Sequence, residues 1–256
     1  MMPVLITFPP SLDSETARFL VEHYGIDSVE KRHTLIFSSF ATLWHGFTPV
    51  FPLLYGDSYK LVGPRPIVDQ FDPKAAPDLK LLPADATDLQ QVNSDWTLFN
   101  STLAFASAKF AYYYLLFHRD IMIRPLSEGT PPFEQKAVER GYPFFAGLLR
   151  LLLQLSPSTA QQSVAQIRTI FTGVDARLAD GRKYLVGGRF TLSDLAFAVA
   201  AAPAVLPSGY GGPIPSFDQM PAEVQAVVTE MRSHPAGAFA LRIYNEQRYQ
   251  RGAIAS

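Results

Sequence analysis

Along the first quarter of the chain the apolar positions come in short runs broken by turn residues. Val4 to Phe8 is a β-favouring run stopped by Pro9-Pro10. Ser11 to Tyr24 has helical spacing, with Ser or Asp at its start, Ala17, Leu20, Val21 and Tyr24 on one face, and Gly25 at its end. Val29 to Leu35 reads as a second strand. Phe37 to Phe47 is aromatic and fits either a helical turn or a loop. Phe51 to Tyr55 and Ser58 to Val62, separated by Gly56-Asp57, read as a hairpin with a tight turn. Pro64 to Phe71 fits a short helix with proline near its first turn.

From Thr87 the period becomes helical. Helices are predicted over Thr87 to Ile123, Phe133 to Leu155, Ala160 to Ala179, Thr191 to Val205 and Pro221 to His234. Pro73 to Pro83, with three prolines and several charges, reads as a linker, and Pro203 to Pro221 as a loop. The order β-α-β-(α)-β-β-α is that of a thioredoxin-like α/β domain. The expected organisation is such a domain over 1–73, a linker over 74–86 and an all-α domain over 87–256. Within the helical part, Thr191 and Asp194 have the spacing of a capping box, hydroxyl at the N-cap and acid at N3, opening an unusually apolar helix.

Composition narrows the chemistry. An apolar fraction of 48% indicates a globular chain with a substantial core. A net charge of −1 without a long basic run gives no reason to expect nucleic acid or an anionic membrane surface as partner. Met1 to Pro10 lacks a basic leader and is cut by prolines, and Tyr142 to Leu155 is too short to span a bilayer, so a soluble, cytoplasmic protein is expected. With no cysteine there is no disulfide, Cys-ligated zinc site or thiolate nucleophile in the chain itself. The five histidines lack metal-ligand spacing, so no metal is expected.

The segment YLVGGRFTLSDLAFA, from Tyr184 to Ala198, resembles the buried capping-box helix of soluble glutathione transferases. The Ser-containing loop into the first helix and the Phe51-Pro52 hairpin entry stand in that family's order and spacing. The whole chain is similar to a bacterial glutathione transferase of the serine type. Ser233 to Arg248 resembles the tail of bacterial members, which packs across the domain interface. The resemblance implies a homodimer and glutathione as co-substrate.

It also implies site residues. Phe51-Pro52 matches the X-Pro bond that is cis in the family, turning the Phe51 backbone toward the cysteinyl part of glutathione; Thr48-Pro49 is the competing bond. Ser11, and behind it Ser14, stand where the family places the hydroxyl that stabilises the glutathione thiolate. Either is equally an ordinary helix cap. The acid-Ser pair that holds the γ-glutamyl end falls on Gly63-Pro64, which supply neither carboxylate, hydroxyl nor a second N–H. Losing such charge-assisted bonds, about 1.5–3 kcal/mol each, predicts weak glutathione binding. Arg65 is a substitute carboxylate ligand or a surface arginine. The helix flanking the acceptor pocket carries Phe110, Tyr113, Tyr114, Phe117 and His118, and one of Tyr112 to Tyr114 is expected to face the cleft.

Three functions fit these residues. The leading one is a glutathione transferase-like enzyme that directs a thiol at a bulky hydrophobic electrophile. The second has dropped glutathione and binds, isomerises or eliminates from a small hydrophobic metabolite. The third is a non-catalytic scaffold.

Overall fold

A computed structural model of the chain describes residues 2–249; Met1 and the last seven positions of the predicted 87–256 domain lie outside them. A four-stranded mixed sheet of order β2-β1-β3-β4 is built from Val4–Thr7, Val29–Arg32, Leu53–Tyr55 and Lys60–Val62. β1 runs parallel to β2, with Val4 beside Val29, and antiparallel to β3, with Ile6 opposite Leu53. Side-chain alternation divides the strands between two apolar layers. Leu5 and Leu54 join the main core, while Val4, Ile6 and Leu53 pack on Ala41 of α2 (Leu35–Gly46). α1 (Leu12–His23) and α3 (Arg65–Phe71) complete the thioredoxin-like unit.

The second predicted strand stops at Arg32. Thr34 instead opens α2, and the buried Glu134 holds both the His33 ring (2.7 Å) and the Thr34 N–H (2.7 Å). The ambiguous aromatic stretch is therefore a helix, tied at its first turn to the helical half of the molecule.

Residues 72–85 form two short 3-10 turns, not a free tether. The Tyr24 hydroxyl donates to Asp72 (2.9 Å), Leu192 N–H donates to the Leu81 carbonyl (3.0 Å), and Arg189 donates to the Leu82 carbonyl (3.0 Å). The proline-rich segment thus rests on the start of α9 (Leu192–Val205).

The remaining helices are α4 (Ala86–Thr97), α5 (Ala104–Leu115), α6 (Arg119–Ser127), α7 (Pro132–Leu152), α8 (Pro157–Leu178), α10 (Ala222–Ser233) and α11 (Pro235–Gln247). α9 is apolar on every side and lies at the centre, packed by α4, α5, α10 and α11. It ends at Val205, where the predicted helix ends, so the first three residues of the predicted loop, Pro203 to Val205, are helical. The predicted helix from Thr87 to Ile123 is interrupted twice. A π-helical stretch, Leu98–Leu103, separates α4 from α5, and the chain leaves helical geometry at His118. The Tyr142 hydroxyl donates to the Leu116 carbonyl (2.9 Å), satisfying one of the carbonyls exposed at that end. α7 bends at Gly141, two residues before Pro143.

The capping box forms as its spacing predicts, fully buried. Asp194 Oδ2 accepts from the Thr191 N–H (2.8 Å) and hydroxyl (2.9 Å), and Oδ1 accepts from the Leu185 N–H (2.7 Å). Burial outweighs these bonds and pushes the Asp194 carboxyl up to about 6.

Candidate active site at the domain interface

Where β1, α1 and β3 meet the helical half, the chain encloses a cavity of about 340 Å³. Phe8 and Pro10 at the end of β1, Ser11 and Asp13 at the start of α1, and Phe51 form its thioredoxin-like side. Opposite them, α5 contributes Ala104, Ala108, Ala111, Tyr112 and Leu115, residues spaced to fall on one helix face. The three alanines make that face shallow, and the space they leave is the body of the cavity. The far wall is Leu206, Tyr210 and Pro213 to Pro215, from the loop after α9.

That loop is fixed by buried charge. Gly211 donates its N–H to Glu15 (3.0 Å) and accepts from Arg32 through its carbonyl (2.9 Å). Glu15 is fully buried and also pairs with Arg18 (3.3 Å) and with Arg248 (3.5 Å) beyond α11. Arg18 reaches on to Glu30 (2.7 Å), and Arg248 to Glu22. The C-terminal segment, expected to pack across the domain interface, does so through Arg248.

Ser11 is the N-cap of α1. Its Oγ accepts from the Ser14 N–H (3.3 Å), which uses a lone pair and leaves the hydroxyl proton to be donated toward the cavity. Ser14 is fully buried outside the cavity lining, and its Oγ accepts from the Phe8 N–H (3.2 Å), joining strand end to helix start. The Phe51-Pro52 bond is cis and the Thr48-Pro49 bond is not. The ladder between β1 and β3 begins at Leu53, so the Phe51 backbone lies outside it at the cavity edge, with its ring edge-on to Phe8 at 5.7 Å.

The residues that would hold glutathione fit it in part. The Phe51 backbone, outside the β1–β3 ladder, would be the strand-like partner for the cysteinyl unit. The γ-glutamyl end is not provided for. Gly63 has φ +79° and donates its N–H to the Pro52 carbonyl (2.8 Å), and both Pro64 and Pro66 lack the N–H with which a helix start binds a carboxylate. Arg65 is occupied, donating to Asp69 (2.8 Å) and to Asn93 on α4 (2.9 Å). It braces α3 against the helical half.

Of the tyrosine triplet, Tyr112 lines the cavity; Tyr113 and Tyr114 do not. Phe110 is fully buried against Tyr114 (5.8 Å between centroids). Phe117 is exposed beneath the Arg150 guanidinium (4.2 Å), and His118 is the exposed N-cap residue of α6. The structure therefore brings together Ser11, Phe51 and Tyr112, and leaves Ser14, Gly63, Pro64, Arg65, Phe110, Tyr113, Tyr114, Phe117 and His118 out of the cavity wall. Sequence reasoning missed Asp13, Asn100 and the alanine face. The readable signal was Ala104, Ala108 and Ala111 at helical spacing, a stripe of small residues overshadowed by the neighbouring aromatics.

Burial raises the hydroxyls of Tyr112 and Tyr210 above the ordinary phenol range. It also raises the Asp13 carboxyl, against an opposing hydrogen bond from Asn100. Among the described residues no group of three or more His, Asp or Glu is placed to hold a metal ion, and no helix is long and apolar enough to cross a membrane.

Residues 156–222 match the family model described as glutathione S-transferase, C-terminal domain. Among solved structures, the β-etherase LigF from Sphingobium sp. strain SYK-6 superposes with a TM-score of 0.59 at 14% identity, over 94% of this chain and 99% of that one. A glutathione S-transferase from Sinorhizobium meliloti 1021 gives a TM-score of 0.54 at 18% identity, over 96% and 99% of the two chains. Another from Methylobacillus flagellatus KT, solved with glutathione bound, gives 0.52 at 16% identity, over 93% and 98%. No curated protein sequence matches the chain significantly.

Proposed function

We propose, from the match of residues 156–222 to the glutathione S-transferase C-terminal domain and the shared fold, that the chain is a glutathione transferase-like enzyme directing a thiol at a bulky hydrophobic electrophile. The observation that carries this reading is the position of Ser11: its hydroxyl opens onto an apolar cavity of about 340 Å³, beside the cis Phe51-Pro52 edge. A hydroxyl donated to a sulfur anion stabilises the charged form and lowers the thiol pKa. The alanine face of α5 and the clamped loop after α9 hold the acceptor against that sulfur, a gain of orientation. Glutathione is the co-substrate this edge supports, bound weakly because Gly63, Pro64 and Pro66 leave its γ-glutamyl end short of donors. We place the protein in the cytoplasm as a homodimer, with Ser14 as a structural cap.

Conjugation of glutathione to a panel of aromatic electrophiles tests the proposal. Ser11→Ala should lower the rate while changing stability by less than about 1–2 kcal/mol, the range for a lost helix cap. Ala108→Phe, which fills the cavity from α5, should abolish turnover with the fold retained. Unchanged rates in both variants would remove the site. The missing donors at Pro64 and Pro66 favour a second reading, in which a hydrophobic metabolite is bound without glutathione. Tight binding of an apolar ligand with no glutathione binding at millimolar concentration would support it.

A further inference from the structure

The cavity carries one charged side chain among its described lining residues, Asp13, and no Lys, Arg or His. The rest of the described lining is apolar or uncharged. The Tyr210 hydroxyl donates to the Pro10 carbonyl (3.4 Å), and Ser11 Oγ caps α1. Asn100, in the π-helical stretch between α4 and α5, lines the same cavity and opposes the effect of burial on the Asp13 carboxyl. π-Helical turns of this kind frequently mark functional sites. An amide does not neutralise a carboxylate, and none of the ion pairs among the described residues includes Asp13. A carboxylate in an apolar site without a counter-charge is costly, which is why burial raises this group. Aromatic rings line the same cavity: Phe8, Phe51, Phe105 and Tyr112.

We propose that the Asp13–Asn100 pair is the recognition pole of the cavity, and that the ligand it selects is a hydrophobic molecule bearing a protonated amine. The ammonium supplies the cation that Asp13 lacks and lies close to aromatic rings, whose faces attract it. The apolar body fills the space along Ala104, Ala108 and Ala111. Asn100 is a positioning residue, fixing the carboxylate toward the ligand. A molecule bearing a carboxylate at the same end meets repulsion from Asp13 with no cation in the described lining to offset it. The inference rests on the reading of this cavity as the acceptor site and adds the chemical class of the acceptor.

The test is calorimetric titration of the full chain at neutral pH with naphthylmethylamine, naphthylmethanol and naphthoate, which share an apolar body and differ in the polar end. The amine should bind at least about tenfold more tightly than the alcohol, and naphthoate more weakly than either, since a charge-assisted bond contributes on that scale. Asp13→Asn should erase the advantage of the amine and leave the alcohol within about twofold. Asn100→Ala should reduce it partially, with both variants melting as folded proteins. Alcohol binding equal to or tighter than amine binding in the unmodified protein overturns the inference and leaves the cavity reading standing. An amine preference that survives Asp13→Asn does the same. Failure of all three probes to bind overturns both.

Discussion

At Asp194 three donors converge on one carboxyl: the backbone N–H groups of Thr191 and Leu185 and the Thr191 hydroxyl. Asp194→Ala leaves all three unsatisfied inside the core and should cost about 2–4 kcal/mol in denaturant unfolding. The same carboxyl is raised from 3.8 to about 6 by burial, so the folded state binds its proton more tightly than the unfolded chain. Its contribution to stability is full below the unfolded value, near 4, and is lost as pH rises through about 6. At roughly 1.36 kcal/mol per pH unit the difference approaches about 3 kcal/mol. The stability of the unmodified protein relative to Asp194→Asn, measured by unfolding across this range, should therefore fall from pH about 4 to pH about 6. A flat difference, or a rise, would contradict the assignment.

At the scale of elements, the loop from Leu206 to Pro215 is the mobile-looking wall of the cavity by composition and a clamped one by contact. Glu15 holds it through Gly211 while sharing Arg18 and Arg248. Glu15→Ala leaves two arginines short of a buried partner and should cost about 3–5 kcal/mol. It should also speed hydrogen exchange at Gly211 before the core of α9 opens; protection at Gly211 unchanged from the unmodified protein would show that the clamp is elsewhere. This clamp was illegible in the sequence, because Glu15 and Gly211 are distant in the chain and ordinary as residues. The elements themselves were legible wherever a local signal was strong. Thr191 and Asp194 announced a buried helix start, and Phe51-Pro52 announced the strand entry. The helix from Thr87 was predicted too long, since its end at Leu116 depends on Tyr142, a tertiary partner. The aromatic residues after Phe110 drew attention that belonged to the alanines, since an alanine stripe reads as good helix former whether it packs or leaves room.

For the whole molecule, two groups of exposed apolar residues stand on α2 and α7. α2 and its exit carry Phe40, Trp44 and Phe47 with more than 60% of each surface accessible, and α7 carries Phe133 and Phe144 exposed. Apolar surface of this kind supports the proposed homodimer, which sets the thioredoxin-like half of one subunit against the helical half of the other. Light scattering at micromolar concentration should give twice the chain mass, and Trp44→Glu should shift it toward one; a monomer in the unmodified protein would count against the assembly.

The proposed function depends most on a cysteinyl edge at Phe51 paired with a γ-glutamyl site depleted at Gly63, Pro64 and Pro66. Gly63 has φ +79°, a backbone conformation unsuited to a glutamate, so the informative variant is Pro64→Ser, which restores a hydroxyl and an N–H at the start of α3 without that strain. Calorimetric titration with glutathione, on the unmodified protein and on this variant, measures the claim directly. The account predicts a dissociation constant in about the millimolar range for the unmodified protein, tightened by roughly tenfold or more in Pro64→Ser. Micromolar binding by the unmodified protein, indifferent to Pro64→Ser, would contradict it.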